Sequence, residues 1–161
     1  MSNREKVAVV GAGLMGHGIA QVFAAAGHVV KVYDRDLLAL RSLRERIQRN
    51  LIDLGQNPTL ADNVHGIEDL GETLAGVDIV VEAGPEDLLI KQKLFLQLEL
   101  LAPKEALLAS NTSVIPITDI TRGMNSGHRA MGTHWWNPPY LVPLVEVIKT
   151  TRSEEHTSEL Q

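Results

Sequence analysis

The stretch KVAVVGAGLMGHGIAQVFAAAGHVVKVYD, residues 6–34, decides the fold of this chain. It reads as a short apolar strand at 7–10, a turn carrying Gly11, Gly13 and Gly16, an Ala-rich helix, and a second strand at 29–33 that ends in Asp34. That order is one complete βαβ unit. Each glycine has a mechanical reason for its place. Gly11 allows the tight strand-to-helix turn, Gly13 leaves the backbone without a Cβ where a pyrophosphate would approach, and Gly16 lets the helix pack closely on the sheet.

Leu14 and Met15 stand between the last two glycines and complete the cofactor-binding turn. The helix that starts here offers unpaired N–H groups and the positive end of its dipole to phosphate. Asp34 follows Gly16 by 18 residues, where a carboxylate can accept hydrogen bonds from the adenosine ribose hydroxyls. A 2′-phosphate meets repulsion there, so NAD is expected rather than NADP, and the adjacent Arg35 tempers that preference without reversing it. A GxGxxG alone is weak. Strand before, helix after and acid at the right distance together supply the context that confirms it. His17, inside the turn, is expected to be a partly exposed helix residue rather than a ligand.

A chain of 161 residues fits one domain with a real core. The N-terminus MSNREK is polar, so no secretory signal is expected, and no apolar run is long enough to span a bilayer. Cysteine is absent, which excludes disulfides and thiolate metal sites and suits a reducing cytoplasm, the expected location. No metal site is expected. The net charge of −5 carries no basic stripe, so neither nucleic acid nor a membrane surface is an expected partner.

Residues 152–161, RSEEHTSELQ, break the regular alternation of strands and helices. All ten match one reading frame of a common sequencing adapter. Residues 1–151 are therefore expected to form the domain, and 152–161 a non-native tail beyond which the natural protein continues.

From residue 36 to 54, Leu40, Leu43, Ile47, Leu51 and Leu54 recur at three- and four-residue spacing and predict one amphipathic helix, stopped by Gly55 and Asn57-Pro58. Its arginines, Arg41, Arg44, Arg46 and Arg49, are most simply a solvated face, with a hold on a phosphorylated substrate handle as the alternative. A short third strand is expected within 64–70, then a brief helix at 71–75. Residues 78–82, DIVVE, read as a buried parallel strand. Pro85, Glu86 and Asp87 are expected in the first turn of the next helix, which runs to about Leu101.

Residues 106–109 form the following strand and deliver Ser110, Asn111, Thr112 and Ser113 at its carboxyl end, where open α/β sheets bind their ligands. These hydroxyls either face the nicotinamide and substrate or cap the short helix near 116–122. A strand at 129–133 ends at His134. Trp135, Trp136, Asn137, Pro138 and Pro139 follow, and a last strand at 144–148 contains Glu146. So short a connection predicts an antiparallel pair.

Oxidation of a secondary alcohol needs a base for the hydroxyl proton while hydride leaves the same carbon. Histidine suits this role, and a carboxylate beside it fixes the tautomer and stabilises the imidazolium. The chain reverses at the prolines, so His134 and Glu146 can meet. The structural alternative is a packed core histidine with Glu146 paired to some Arg or Lys.

GAGLMGHGIA, EAGPEDLLIKQKLF, LASNTS and GTHWWNPPYLVPLVEV, in this order and spacing, resemble the NAD-binding domain of the L-3-hydroxyacyl-CoA dehydrogenase family. The likeness covers residue 5 to about 150. It implies a Rossmann-type doubly wound α/β fold, mostly parallel, with an antiparallel final strand. It also implies a catalytic His134 held by Glu146, Ser113 and Asn137 contacting substrate and catalytic groups, and Glu86 and Lys91 helping Gly11, Gly13, Leu14, Met15, Gly16 and Asp34 to bind NAD. The implied reaction interconverts a 3-hydroxyacyl thioester and its 3-oxo form. The family's helical C-terminal domain, which closes the cleft and forms its homodimer, is absent here, so little turnover is expected of this chain alone. The 35–76 arm is shorter than in typical acyl-CoA members. WNPPYLVPLVE with EAGPED is also similar to the branch containing gulonate and carnitine dehydrogenases, whose substrates are polar 3-hydroxy acids without CoA. A non-catalytic NAD-binding module is a third reading.

Overall fold

The computed structural model describes residues 4–151. Seven strands form one sheet: β1 (Val7–Val10), β2 (Val30–Tyr33), β3 (Val64–Gly66), β4 (Ile79–Glu82), β5 (Leu107–Ser110), β6 (Ala130–Trp135) and β7 (Val145–Ile148). Their order across the sheet is β3-β2-β1-β4-β5-β6-β7. The first six are parallel, and β7 returns antiparallel beside β6, as the short proline connection predicted. The sheet is thus the doubly wound α/β arrangement, with its reversal of strand order between β1 and β4.

β1 is buried on both faces, as a central parallel strand must be. Val7 and Val9 point into one hydrophobic layer and Ala8 and Val10 into the other. The first layer is closed by α1 (Leu14–Ala25), α2 (Leu37–Arg41) and α3 (Leu43–Asp53), through Ile19, Ala20, Leu40, Leu43, Ile47 and Leu51. The second is closed by α4 (Leu70–Leu74), α5 (Leu88–Leu101) and α6 (Ile117–Ile120), through Leu74, Phe95, Leu98, Ile117 and Ile120. The connection from β6 to β7 packs closely on α1: a Cβ at Gly18 would meet Pro139 at 2.9 Å.

Two differences from the sequence expectation bear on the site. The helix predicted over 36–54 is broken at Ser42, whose backbone closes α2 and opens α3. The apolar spacing continues across the break, so periodicity alone does not register it. Asp36 caps α2 by accepting from the Leu38 and Ala39 amides. The second difference concerns α5. Its N-cap is Asp87, which accepts from the Ile90 amide, so Pro85 and Glu86 lie before the helix and not in its first turn. That frees Glu86 for another task. Among the described residues no helix is long and apolar enough to cross a membrane.

Candidate functional site

The carboxyl ends of β1, β2 and β4 open into a groove of about 700 Å³ at the point where the strand order reverses. Gly11, Gly13 and Asp34 line it, with Tyr33, Ala83 and Pro85. Leu70, Ile90 and Leu94 give it an apolar wall suited to a flat base. The glycine turn fits a pyrophosphate. Gly11 has φ +114°, a conformation L side chains rarely adopt, and a Cβ there would sit 2.6 Å from the Ala83 carbonyl oxygen. A Cβ at Gly13 meets nothing within 4 Å, which is the open cradle an incoming phosphate needs. Gly16 is buried behind the turn, where a Cβ would fall 1.7 Å from the Gly11 carbonyl oxygen.

Gly13 and Gly16 give a contrasted expectation. Gly16→Ala forces the turn apart and is expected to weaken NADH binding about tenfold or more with a lowered melting temperature. Gly13→Ala keeps the fold, since its φ of −69° and extended ψ suit alanine, but fills the cradle, so affinity falls while the melting temperature holds. Fluorescence titration and thermal melts of the two variants check this, and equal melting temperatures would overturn it.

Asp34 ends β2 as expected. Its Oδ2 accepts from the Ala12 amide at 2.6 Å and its Oδ1 from the Asp36 amide at 2.8 Å, which fixes the carboxylate at the rim of the groove with lone pairs to spare. Leu14 and Met15 lie at the start of α1, beside the groove but not among its lining residues.

Glu86 and Lys91, expected to help bind the cofactor, differ in exposure. Lys91 is completely buried. Its Nζ donates to both oxygens of Glu82 at 2.8 Å and lies 3.8 Å from Glu86 Oε2. Glu82, equally buried at the end of β4, also accepts from Ser110 Oγ at 2.6 Å and from the Gly84 amide at 2.6 Å. Glu86 Oε1 accepts from Thr112 Oγ1 at 2.5 Å, Ser113 N at 3.0 Å and Val114 N at 3.2 Å. Burial raises the Glu86 pKa, but these donors and the Lys91 charge outweigh it and hold the carboxyl below its usual range. Glu86 therefore clasps the loop after β5 rather than a helix dipole. The Ser110–Ser113 cluster does not cap α6, whose N-cap is Pro116 without a side-chain bond.

That clasped loop presents Ser113 to the second half of the site. His134 on β6 and Glu146 on β7 are direct cross-strand partners, and His134 Nδ1 lies 2.6 Å from Glu146 Oε2. A carboxylate has only lone pairs, so the shared proton belongs to Nδ1 and leaves Nε2 as the acceptor. Nε2 faces Ser113 Oγ at 3.2 Å. The Trp136 ring stands 5.8 Å from the imidazole, and Asn111 Oδ1 anchors the Trp135 amide. Asn137 is exposed, and no side-chain hydrogen bond joins it to this line among the described residues. The packed-core alternative for His134 does not hold, since its side chain is 25 % exposed beside Glu146.

Sequence reasoning missed Glu82, and it expected Ser110 to face a ligand or cap a helix, whereas Ser110 is buried and bonded to Glu82. The signal was an acid closing a run of buried apolar residues, with a lysine nine positions on. It also misplaced two residues near the turn. His17 is buried, its Nδ1 donating to the Gly13 carbonyl at 2.9 Å, and burial lowers its pKa. Arg46 belongs to no solvated face but reaches the turn itself. Arg44 and Arg49 do stay at the surface, paired with Asp62 and Glu45.

A glycine turn, a groove at the switch point and a histidine–carboxylate pair beyond the same strand ends define a Rossmann-type NAD-binding domain. The family model described as "3-hydroxyacyl-CoA dehydrogenase, NAD binding domain" matches residues 6–160, and the chain belongs to that family. It is 36 % identical, over 95 % of its length, to the mitochondrial hydroxyacyl-coenzyme A dehydrogenase of Rattus norvegicus, of which it covers 53 %. It is 30 % identical, over 94 %, to the 5-formyl-3-hydroxy-2-methylpyridine 4-carboxylate 5-dehydrogenase of Mesorhizobium japonicum, covering 50 %. The structure of 3-hydroxybutyryl-CoA dehydrogenase from Escherichia coli K12 superposes with a TM-score of 0.83 at 36 % identity, over 90 % of this chain and 32 % of that one. The chain spans about half the length of the curated relatives it matches.

Proposed function

We propose that the longer protein to which this domain belongs interconverts an L-3-hydroxyacyl-CoA and its 3-oxoacyl-CoA. The observation that carries this reading is the Ser113–His134–Glu146 line beside the NAD groove. NAD, when bound, supplies the hydride acceptor. His134 Nε2 takes the hydroxyl proton as general base, and Glu146 holds Nδ1 and stabilises the imidazolium that forms. Ser113 Oγ, within hydrogen-bond reach of Nε2, steers the substrate oxygen to that nitrogen. Asn137, exposed on the connection from β6, is free to meet the substrate. Leu14, Met15, Gly16 and Lys91 support the cofactor from behind or beside the groove, and Glu86 does so through the Ser113 loop.

In this reading the longer protein is a homodimer formed through a helical domain absent here, and it works in the cytoplasm, where a chain without cysteine loses nothing to reduction. The 161-residue chain by itself binds NAD and turns over little or no substrate. Residues 152–161 are proposed to be a non-native tail; they lie outside the described residues.

A second reading keeps the chemistry and exchanges the substrate for a free polar 3-hydroxy acid. The Mesorhizobium japonicum relative, whose name carries a free carboxylate and no CoA, favours it. Assay of the longer protein with acetoacetyl-CoA and NADH, against gulonate and carnitine with NAD, separates the two. Turnover of the thioester at least about tenfold more efficient is expected, and activity on the free acids alone would sink the CoA assignment. A non-catalytic module is disfavoured by the intact His134–Glu146 pair.

A further inference from the structure

The glycine turn is held from its far side by one helix. Arg46 and Asn50 lie one turn apart on the same face of α3; Arg46 bonds a turn carbonyl directly and Asn50 reaches the next one through His17. Arg46 Nη2 donates to the Ala12 carbonyl at 2.7 Å and to the Ala39 carbonyl at 2.8 Å. Asn50 Nδ2 donates to His17 Nε2 at 3.2 Å and to Gln21 Oε1 at 3.0 Å, and the opposite nitrogen of His17 donates to the Gly13 carbonyl. The His17 tautomer follows from these partners: Nδ1 must donate to a carbonyl, so Nε2 is left to accept.

The consequence comes from peptide geometry. In a planar trans peptide the C=O and N–H point opposite ways. Fixing the Ala12 and Gly13 carbonyls therefore aims the Gly13 and Leu14 N–H groups outward. Both of those residues are exposed, and Gly13 lines the groove. The same Ala12 residue gives its own N–H to Asp34, so ribose-binding acid, turn and arm helix form one connected chain.

A purely structural arginine would be expected to satisfy its donors. Arg46 instead leaves Nε buried with no hydrogen-bond partner among the described residues. Burial lowers its pKa, while the nearby Asp34 charge raises it. A partly buried cation with one unsatisfied donor is thus kept beside the glycine turn.

We propose that Arg46 is a positioning residue for the NAD pyrophosphate, acting through the Ala12 carbonyl to aim the turn's amides, with Asn50 and His17 doing the same for Gly13. This rests on NAD binding by the domain and is independent of the substrate reading. The test is equilibrium titration of the 161-residue chain with NADH, by fluorescence, and with adenosine, by NMR. Adenosine shares the nucleoside but has no phosphate. Arg46→Met keeps the stem and removes the donors, and is expected to weaken NADH about tenfold while adenosine changes less than about twofold. Arg46→Lys, with one charged donor group, should recover part of the loss. Asn50→Ala, which leaves Arg46 in place, should weaken NADH about threefold with adenosine unchanged, and it decides the matter should Arg46→Met not fold. NADH affinity unchanged in these variants, or equal losses for NADH and adenosine, would overturn the proposal.

Discussion

Replacement of His134 by Gln in the longer protein is expected to lower kcat by about 10²- to 10⁴-fold while the NADH dissociation constant stays within about twofold. Gln retains a polar head near Ser113 and Glu146 but cannot take a proton from an alcohol near neutral pH. NADH binding should be spared because His134 is not among the residues lining the groove and lies on β6, beyond β4 and β5 from the glycine turn. Stopped-flow or steady-state oxidation of NADH with acetoacetyl-CoA measures the first quantity, and fluorescence titration the second. A rate close to that of the parent, with binding intact, would remove His134 from the role of base. A parallel loss of NADH affinity would point to a collapsed site instead.

The second large effect lies in stability. Lys91→Met is expected to cost about 3–5 kcal/mol of folding free energy, because it strands the Glu82 carboxylate in the interior. Both side chains are fully buried, so water does not screen the pair. Four donor contacts reach Glu82, two of them from Lys91, and the remaining Ser110 hydroxyl and Gly84 amide do not neutralise its charge. The double variant Glu82→Gln/Lys91→Met should recover much of the loss, since it removes the charge with its partner. Urea unfolding of the chain with each single change and the double one reads this coupling. Additive losses would mean that the two residues act independently, against the geometry.

Much of the architecture was legible because it depends on local pattern. The β1–α1–β2 unit follows from a short apolar run, three glycines and a terminal acid, each of which constrains its own few residues. The antiparallel return of β7 was equally open to reading, since thirteen residues from His134 to Glu146, prolines included, leave no room for a crossover. The pairing of those two side chains followed from the reversal.

The polar interior was not legible, for a definite reason. Lys91 looks like any lysine on an amphipathic helix, and only the end of β4 and the end of β5 reveal that it faces inward. Its network joins positions 9 and 28 residues apart. Arg46 sits among three other arginines at two- and three-residue spacing, and what separates it from Arg44 and Arg49 is the proximity of a turn 34 residues earlier. His17 was misread because the turn's exposure was extended to the whole motif, whereas α3 covers its far side. Ser42 breaks a helix without breaking its hydrophobic rhythm. For Lys91, Arg46 and His17 the deciding partner came from another element, and spacing along one element carries no trace of it.

The position of β7 has a kinetic meaning. Among the described residues it is an edge strand held by β6 alone, and Val147 and Ile148 on it remain exposed. β1, at the heart of the sheet, is paired on both sides, with β2 and with β4. Strands at a rim open with far less free energy than strands at a centre. Such openings detach Glu146 from the imidazole before they disturb the glycine turn. On the proposed reading, in which His134 takes the proton, the domain has two thresholds of competence, one for holding a nucleotide and a lower one for catalysis, and any partner segment that pins the rim is expected to raise the second without touching the first.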